Sequence, residues 1–188
     1  YITEVVKPAK EPRYPNGKEG VDWIWNNTGI DIELLNTNTN KEVKIKKLIS
    51  FFKKLQVANV SEGMINKLYE NNYTDLDSII NASVDDFKKI DGIQTTMANK
   101  MYKNIHESLE KANLSQIIAA STVFGIGYGE KRLQPIIDLL KDNKILKKTF
   151  NLKMKNDYLI SIISDIEGFQ EKTASGFVNK LEKFNIFK

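Results

Sequence analysis

Four short turns that contain Gly or Asn recur along the chain, each flanked by apolar residues and followed by the start of a helix. Their middle residues are Asn59, Gly92, Gly125 and Gly168, so neighbouring copies are 33, 33 and 43 residues apart. Internal repetition of this kind fixes the architecture of a chain. A tight turn that leads into a helix presents backbone N–H groups and a helix N-terminus, which together favour an anion. The chemistry predicted for these turns is phosphate binding.

The residue types around the turns suit this chemistry. Gly adopts positive φ angles and lets a ligand approach the backbone closely. The unpaired amides at a helix N-terminus supply partial positive charge, and a Lys in the first turns adds a full charge. From the first turn to the fourth, the candidate phosphate-binding residues are Asn59, Ser61, Gly63, Lys67, Gly92, Gln94, Thr95, Thr96, Lys100, Gly125, Gly127, Gly129, Lys131, Arg132, Gly168, Gln170, Lys172 and Thr173.

The third turn is the best equipped of the four. Lys131 and Arg132 follow directly after its glycines, which are Gly125, Gly127 and Gly129. We expect Ile126 to point inward as the apolar plug of this turn. Gly after a helix is also a common C-cap, and Lys-rich helices are usually solvated faces. The argument for a ligand therefore depends on the repetition of the turn.

Composition restricts the classes of function. The chain has 188 residues, a formal net charge of +4 and a pI near 9.0, which permits a nucleic-acid partner without requiring one. It has no Cys, which excludes disulfides, thiol catalysis and Cys-bound metals. No apolar run approaches the ~20 residues of a membrane span, and no signal-peptide pattern opens the chain. We expect no membrane partner, and a location in bacterial cytoplasm or a virus-infected cell, not secretion.

The hydrophobic pattern divides the chain into four segments. In residues 1–15 apolar and polar residues alternate before three prolines follow. This pattern indicates the last strand of an upstream sheet and then a linker. Residues 16–40 predict a β-hairpin with Trp23 and Trp25 on one face, opposite Ile30, Ile32 and Leu34. From residue 41 the period becomes helical. The predicted fold is mainly α, with one pair of turns in residues 41–113 and a second pair in residues 114–188.

Other candidate sites are weaker. Residues 89–92 read Lys-Ile-Asp-Gly, which matches the signature of covalent nucleotidyltransferases, in which the Lys is adenylylated. An activated Lys needs a buried site that lowers its pKa, whereas Lys89 follows Lys88 at a helix end and should be solvated. His106 is the single His, so no His-based triad or multi-His metal site can form. No catalytic residue and no metal site is predicted.

Residues 48–140 resemble the C-terminal half of NAD-dependent DNA ligases. The resemblance lies in Phe51-Phe52-Lys53-Lys54-Leu55, in Leu68-Tyr69 and in residues 120–127, and residues 165–184 fit as well. It implies four tandem helix-hairpin-helix motifs after the closing strand of an oligonucleotide-binding (OB) barrel, which residues 1–15 resemble. The family has a four-Cys zinc module between barrel and motifs. The Cys-less hairpin in its place suggests a divergent viral or phage member.

The resemblance implies a part without catalytic machinery from a longer protein. Such a segment would bind the minor groove of nicked double-stranded DNA. It would help the ligase close around the duplex so that the nick can be sealed in replication and repair. It would hold no cofactor, whereas the parent ligase would use NAD and Mg²⁺. Its adenylation and OB domains would lie upstream, in the same chain or in a separate one.

Two other readings remain open at this stage. The same hairpins occur in pairs in independent DNA-binding modules of repair nucleases and branch-migration proteins. A helical scaffold that binds protein is the third possibility. A period near 33 also suggests ankyrin or tetratricopeptide repeats, but their signatures are absent from the sequence.

Overall fold

The computed structural model of the chain describes Tyr14 and residues 17–35, 39–125, 127–151 and 153–181. These residues form two strands and ten helices, which confirms a mainly helical fold with a short β segment at its start. The elements are β1 (Trp23–Trp25), β2 (Ile32–Leu34), α1 (Lys41–Lys54), α2 (Glu62–Glu70), α3 (Leu76–Ile80), α4 (Val84–Lys88), α5 (Thr95–Lys111), α6 (Leu114–Ser121), α7 (Glu130–Asp142), α8 (Leu146–Phe150), α9 (Asn156–Ser164) and α10 (Glu171–Val178). None of the described helices is long and apolar enough to cross a membrane.

The chain divides near Lys44 into two compact units. The predicted closing strand in residues 1–15 lies outside the described residues, apart from Tyr14. The last three residues of the segment 165–184 also lie outside the described residues, and α10 ends at Val178.

The first unit contains the β-hairpin. β1 and β2 are antiparallel, with Trp23 opposite Leu34 and Trp25 opposite Ile32. The indole rings of Trp23 and Trp25 meet edge to face with centroids 6.3 Å apart, which confirms that they share a face. The predicted ladder position of Ile30 is wrong, because this residue lies in the connecting loop and is 77% exposed.

The loop turns Ile30 outward because Asn26 organises it. The Asn26 Oδ1 accepts the backbone N–H groups of Thr28, Ile30 and Asp31 at 3.2, 3.1 and 3.3 Å. One amide oxygen thus closes the loop in the manner of an Asx turn, and the chain rejoins the ladder only at Ile32.

Two hydrophobic cores fill the helical unit. The first spans residues 45–120 and is centred on aromatic and branched side chains such as Phe51, Phe52 and Phe87. The second spans residues 118–181, where the rings of Phe124 and Phe177 stack with centroids 4.8 Å apart. Each core contains two of the four turns and the helices that follow them. The cores supply the energy that holds the turns in place.

Replacing Phe177 by Ala should destabilise the protein by about 3–5 kcal/mol, because it removes a fully buried ring and leaves a cavity beside Phe124. Tyr158→Ala is the matched control, since Tyr158 is 46% exposed and should change the free energy of unfolding by less than about 0.5 kcal/mol. Urea denaturation followed by circular dichroism measures both values. Equal effects would contradict the assigned core.

Candidate functional site

The middle residues of the four turns share one unusual backbone conformation. Their φ angles are 63° at Asn59, 74° at Gly92, 77° at Gly125 and 79° at Gly168. This is the left-handed region, which Gly adopts freely and Asn tolerates better than most residues. The sequence repeat therefore marks a repeated backbone geometry. All four residues are exposed, so the tips of the turns face solvent.

Apolar residues on each side of the tip anchor the turns. In the second turn Ile90 and Ile93 are both buried, and the Ile93 N–H donates to the Ile90 carbonyl at 3.0 Å. In the fourth turn the Phe169 N–H donates to the Ile166 carbonyl at 2.9 Å. The flanks are held by the core while the Gly at position 92 or 168 projects outward.

The third turn is longer than the repeat predicts. The N-cap of the following helix lies two residues after the tip in the other turns but four residues after Gly125, at Gly129. The added length brings a second left-handed residue, Gly127, with a φ of 94°. It also buries Phe124, whereas the equivalent Ala58 in the first turn is exposed. The expected inward orientation of Ile126 lies outside the described residues.

Three of the four helices that follow the turns begin without a side-chain cap. Capping boxes are present at α3, α4 and α6, and the one at α4 is formed by Ser83 and Asp86. Among the described residues no side chain caps the N-termini of α5, α7 and α10, whose N-caps are Gln94, Gly129 and Gln170. Helices α8 and α9 also lack side-chain caps. The first amides of α5, α7 and α10 are thus available to an external acceptor.

The first turn is the exception. Ser61 is the N-cap of α2, and its Oγ accepts the Met64 N–H at 3.2 Å.

Gly63 lies within α2 without a positive φ, and a Cβ added there would meet only Ser61 Oγ at 4.0 Å. Gly129 has a φ of −75° and open space around it. Neither backbone position requires glycine.

Two cations lie close to turn backbone. The ammonium of Lys67 would be 2.6 Å from a Cβ built on Gly92, so this side chain reaches the second turn although it lies on the helix after the first. A long side chain on α2 reaches the neighbouring turn because the two turns pack into one core. The Arg132 Nη1 lies 3.4 Å from the Gly127 carbonyl, and its guanidinium is 5.8 Å from the centroid of the Phe169 ring.

The other predicted site residues lie at the helix N-termini. Thr173 is half-buried, and its carbonyl accepts the Tyr128 hydroxyl at 2.7 Å. Burial raises the pKa of that hydroxyl. The remaining predicted residues beyond the tips are exposed: Gln94, Thr95, Thr96, Lys100, Lys131, Gln170 and Lys172. Nothing in the structure tests whether these groups bind a ligand, so their role stays a prediction.

Two residues that touch the turns have no signal in the local sequence. The Asn104 side chain donates to the Ala58 carbonyl at 3.0 Å, and the Lys180 ammonium donates to the Phe124 carbonyl at 2.5 Å. The partners are 46 and 56 residues apart in the chain. A periodic pattern within one helix cannot reveal such contacts.

Lys89 has the wrong environment for a nucleophile. Its side chain is 75% exposed, and its ammonium pairs with the Asp86 carboxylate at 2.8 Å. The hydrogen bond to Asp86 raises the pKa of Lys89, whereas nucleophilic catalysis needs a lowered pKa. The rings of His106 and Tyr102 are in contact at a tilt of 49°, with centroids 4.2 Å apart. Across the described ranges no group of three or more His, Cys, Asp and Glu is placed to hold a metal ion.

Incubation of the chain with radiolabelled NAD or ATP should leave Lys89 unmodified, because its ammonium stays protonated. The Lys89→Arg variant should behave identically. Intact-mass and peptide mass spectrometry detect an adenylyl group on a single residue. A nucleotide mapped to Lys89 would refute the assignment.

Comparison with known proteins relates the chain to viral DNA ligases. It is 35% identical over 189 aligned positions to a DNA ligase of Acanthamoeba polyphaga mimivirus, covering 100% of this chain and 28% of that protein. Proteins of Invertebrate iridescent virus 3 and Invertebrate iridescent virus 6 whose names also contain DNA ligase are 26% and 27% identical. These matches cover 72% and 82% of this chain, but 17% and 22% of those proteins. No family model and no solved structure matches the chain.

Proposed function

We propose that this chain is the non-catalytic DNA-holding segment of an NAD-dependent DNA ligase. The observation that carries the proposal is the set of four exposed left-handed turns, three of which lead into helices without side-chain caps. Such turns bind phosphate oxygens through backbone amides. They would hold the backbone of nicked duplex DNA in the minor groove, without reading the base sequence.

The viral relatives support this proposal. Their names state that they are DNA ligases, and this chain corresponds to about a quarter of the mimivirus protein. NAD dependence, Mg²⁺ and the chemistry of adenylylation and sealing belong in this proposal to the remainder of the parent protein. In this proposal the four turns are the four tandem helix-hairpin-helix motifs that the resemblance to that family implies. No observation in the described part of the chain favours an independent repair module or a protein-binding scaffold.

Local charge differs among the turns and predicts their relative importance. Lys131 and Arg132 lie at the start of α7, beside the third turn, with Glu130 as the single acidic neighbour. Glu167 and Glu171 flank the fourth turn and would repel phosphate. We therefore expect the third turn to contribute more to DNA affinity than the fourth turn does.

Binding to duplex DNA should be independent of sequence and should weaken steeply with salt, because released counterions supply much of the affinity. Lys131→Ala should lower the slope of log K against log salt by about one phosphate contact. Fluorescence anisotropy with nicked duplexes of unrelated sequence measures both quantities. A salt-independent isotherm, or strong preference for one sequence, would refute the proposal.

The uncapped start of α7 allows stability and DNA binding to be separated. Gly129→Asp should stabilise the protein by a few tenths to about 1 kcal/mol, because Asp caps the helix and interacts favourably with its dipole. The same carboxylate should weaken DNA binding by about tenfold or more, since it occupies the amides and repels phosphate. Thermal unfolding and anisotropy measure the two effects.

Asn143→Asp is the matched control, because it adds the same charge at the opposite end of α7. The distance along this helix exceeds the screening length of about 8 Å at physiological salt, so DNA affinity should change little. If Gly129→Asp and Asn143→Asp bind DNA equally, the amides of α7 do not hold phosphate.

A further inference from the structure

We propose that Asn104 and Lys180 are positioning residues that hold the first and third turns in the geometry that receives DNA phosphates. This inference rests on the proposed function. Each residue lies on, or directly after, the helix that follows the other turn of its pair. Asn104 lies on α5, which follows the second turn, and Lys180 lies just beyond the end of α10, which follows the fourth.

The two contacts occupy equivalent positions in the two halves of the helical unit. The carbonyls that accept the bonds belong to Ala58 and Phe124. Each of these residues directly precedes the tip of its turn, which is Asn59 or Gly125. Asn104 lies ten residues after the N-cap Gln94. Lys180 lies ten residues after the N-cap Gln170. In both turns, the carbonyl just before the tip therefore accepts a hydrogen bond from a side chain ten residues after the N-cap of the partner helix. The side chain is Asn104 in one half and Lys180 in the other.

In each pair of turns, a side chain from the helix after the first turn of the pair also contacts the other turn. The Lys67 ammonium, on the helix after the first turn, lies over Gly92 of the second turn. The Arg132 guanidinium, on the helix after the third turn, lies over the Phe169 ring of the fourth. Every turn is therefore touched by a side chain from the helix that follows its partner, so the two turns of a pair are fixed relative to each other.

Fixing this particular carbonyl orients the amides of the turn. The peptide between Ala58 and Asn59 is planar, so its N–H points away from its C=O. With the carbonyl held by Asn104, the Asn59 N–H occupies the opposite edge, and it has no acceptor among the described residues. In the third turn the Gly125 N–H donates to the Thr122 carbonyl at 2.9 Å, so that peptide is held at both ends.

A positioning role differs from direct phosphate binding in its salt dependence. Asn104 carries no charge, so its loss cannot release counterions. The Lys180 ammonium is hydrogen-bonded to the Phe124 carbonyl and lies 5.1 Å from the centroid of the Tyr128 ring, which indicates an inward orientation. If it bound phosphate directly, removal of its charge would lower the salt slope by about one unit.

The test uses Asn104→Ala and Lys180→Met in the full chain. Each should weaken binding to a nicked duplex by about two- to tenfold, as expected for loss of one hydrogen bond, with an unchanged salt slope. Two conservative substitutions should keep the affinity near that of the unaltered chain. One is Lys180→Arg, and the other is Asn104→Lys, which gives position 104 the residue that position 180 has. Asn143→Ala is the control, because Asn143 donates to the Leu139 carbonyl of its own helix at 2.8 Å. It should leave binding unchanged.

Amide hydrogen exchange without DNA separates this inference from the proposed function. Lys180→Met should speed exchange of the Gly125 N–H while leaving that of Phe169 in the fourth turn unchanged. If Lys180→Met speeds exchange of the Gly125 N–H but the unaltered chain does not bind DNA, the proposed function is refuted. The role of Lys180 in fixing the third turn would then still stand. Unchanged exchange and affinity, or a salt slope that falls by one unit in Lys180→Met, would overturn the positioning role.

Discussion

Left-handed backbone at the tip of each turn is the constraint on which the rest of the structure depends. A residue at positive φ reverses the chain within a few residues and turns its amides outward, but side chains beyond Gly and Asn are strained there. Gly in a turn loses more conformational entropy on folding than other residues do, so the turn cannot hold itself. The buried flanks, such as Val57 and Ile90, anchor it to the core. The packing of the core and the solvent-facing backbone of the tips are therefore parts of one arrangement.

The starts of the helices show where stability is forgone. A side-chain cap stabilises a helix by about 1 kcal/mol, and the short helices α3, α4 and α6 all have one. Helices α5, α7 and α10 begin with Gln94, Gly129 and Gln170, which leave the first amides without a side-chain acceptor. An external acceptor would complete these three helix starts, although α2 also follows a turn and is capped by Ser61. Helices α8 and α9 are uncapped too and follow none of the four turns, so a missing cap alone does not mark a ligand site. A self-capped helix would compete with phosphate for the same N–H groups.

Local features of the fold could be predicted from sequence, and contacts between repeats could not. The tips at Asn59 and Gly168, the capping box of Ser83 and Asp86, and the shared face of the two Trp residues follow from short-range rules on φ, capping and strand period. The spacing of the tips does not reveal the greater length of the third turn, because the second left-handed residue, Gly127, shifts the helix start by two positions.

Side chains that cross between repeats are invisible to periodicity. Lys67 lies on the helix that follows the first turn, yet its ammonium lies beside Gly92 of the second turn. Which turn a long side chain reaches depends on how two turns share a core, and that packing involves residues far apart in sequence. The same argument applies to the contacts of Asn104. Sequence therefore identifies the groups that could bind an anion, whereas the structure identifies which of them act on the same turn.

The β-hairpin shows how a chain without Cys can order a small unit. A two-stranded hairpin is marginal by itself in water, and β1 and β2 have three residues each. Trp23 is only 5% exposed, with its ring stacked on Tyr14 at 5.7 Å and met edge-on by Trp25. Aromatic pairs of this kind contribute about 0.5–1.5 kcal/mol beyond their buried area. This cluster and the loop organised by Asn26 order the hairpin by apolar stacking and loop closure, neither of which needs a metal ligand.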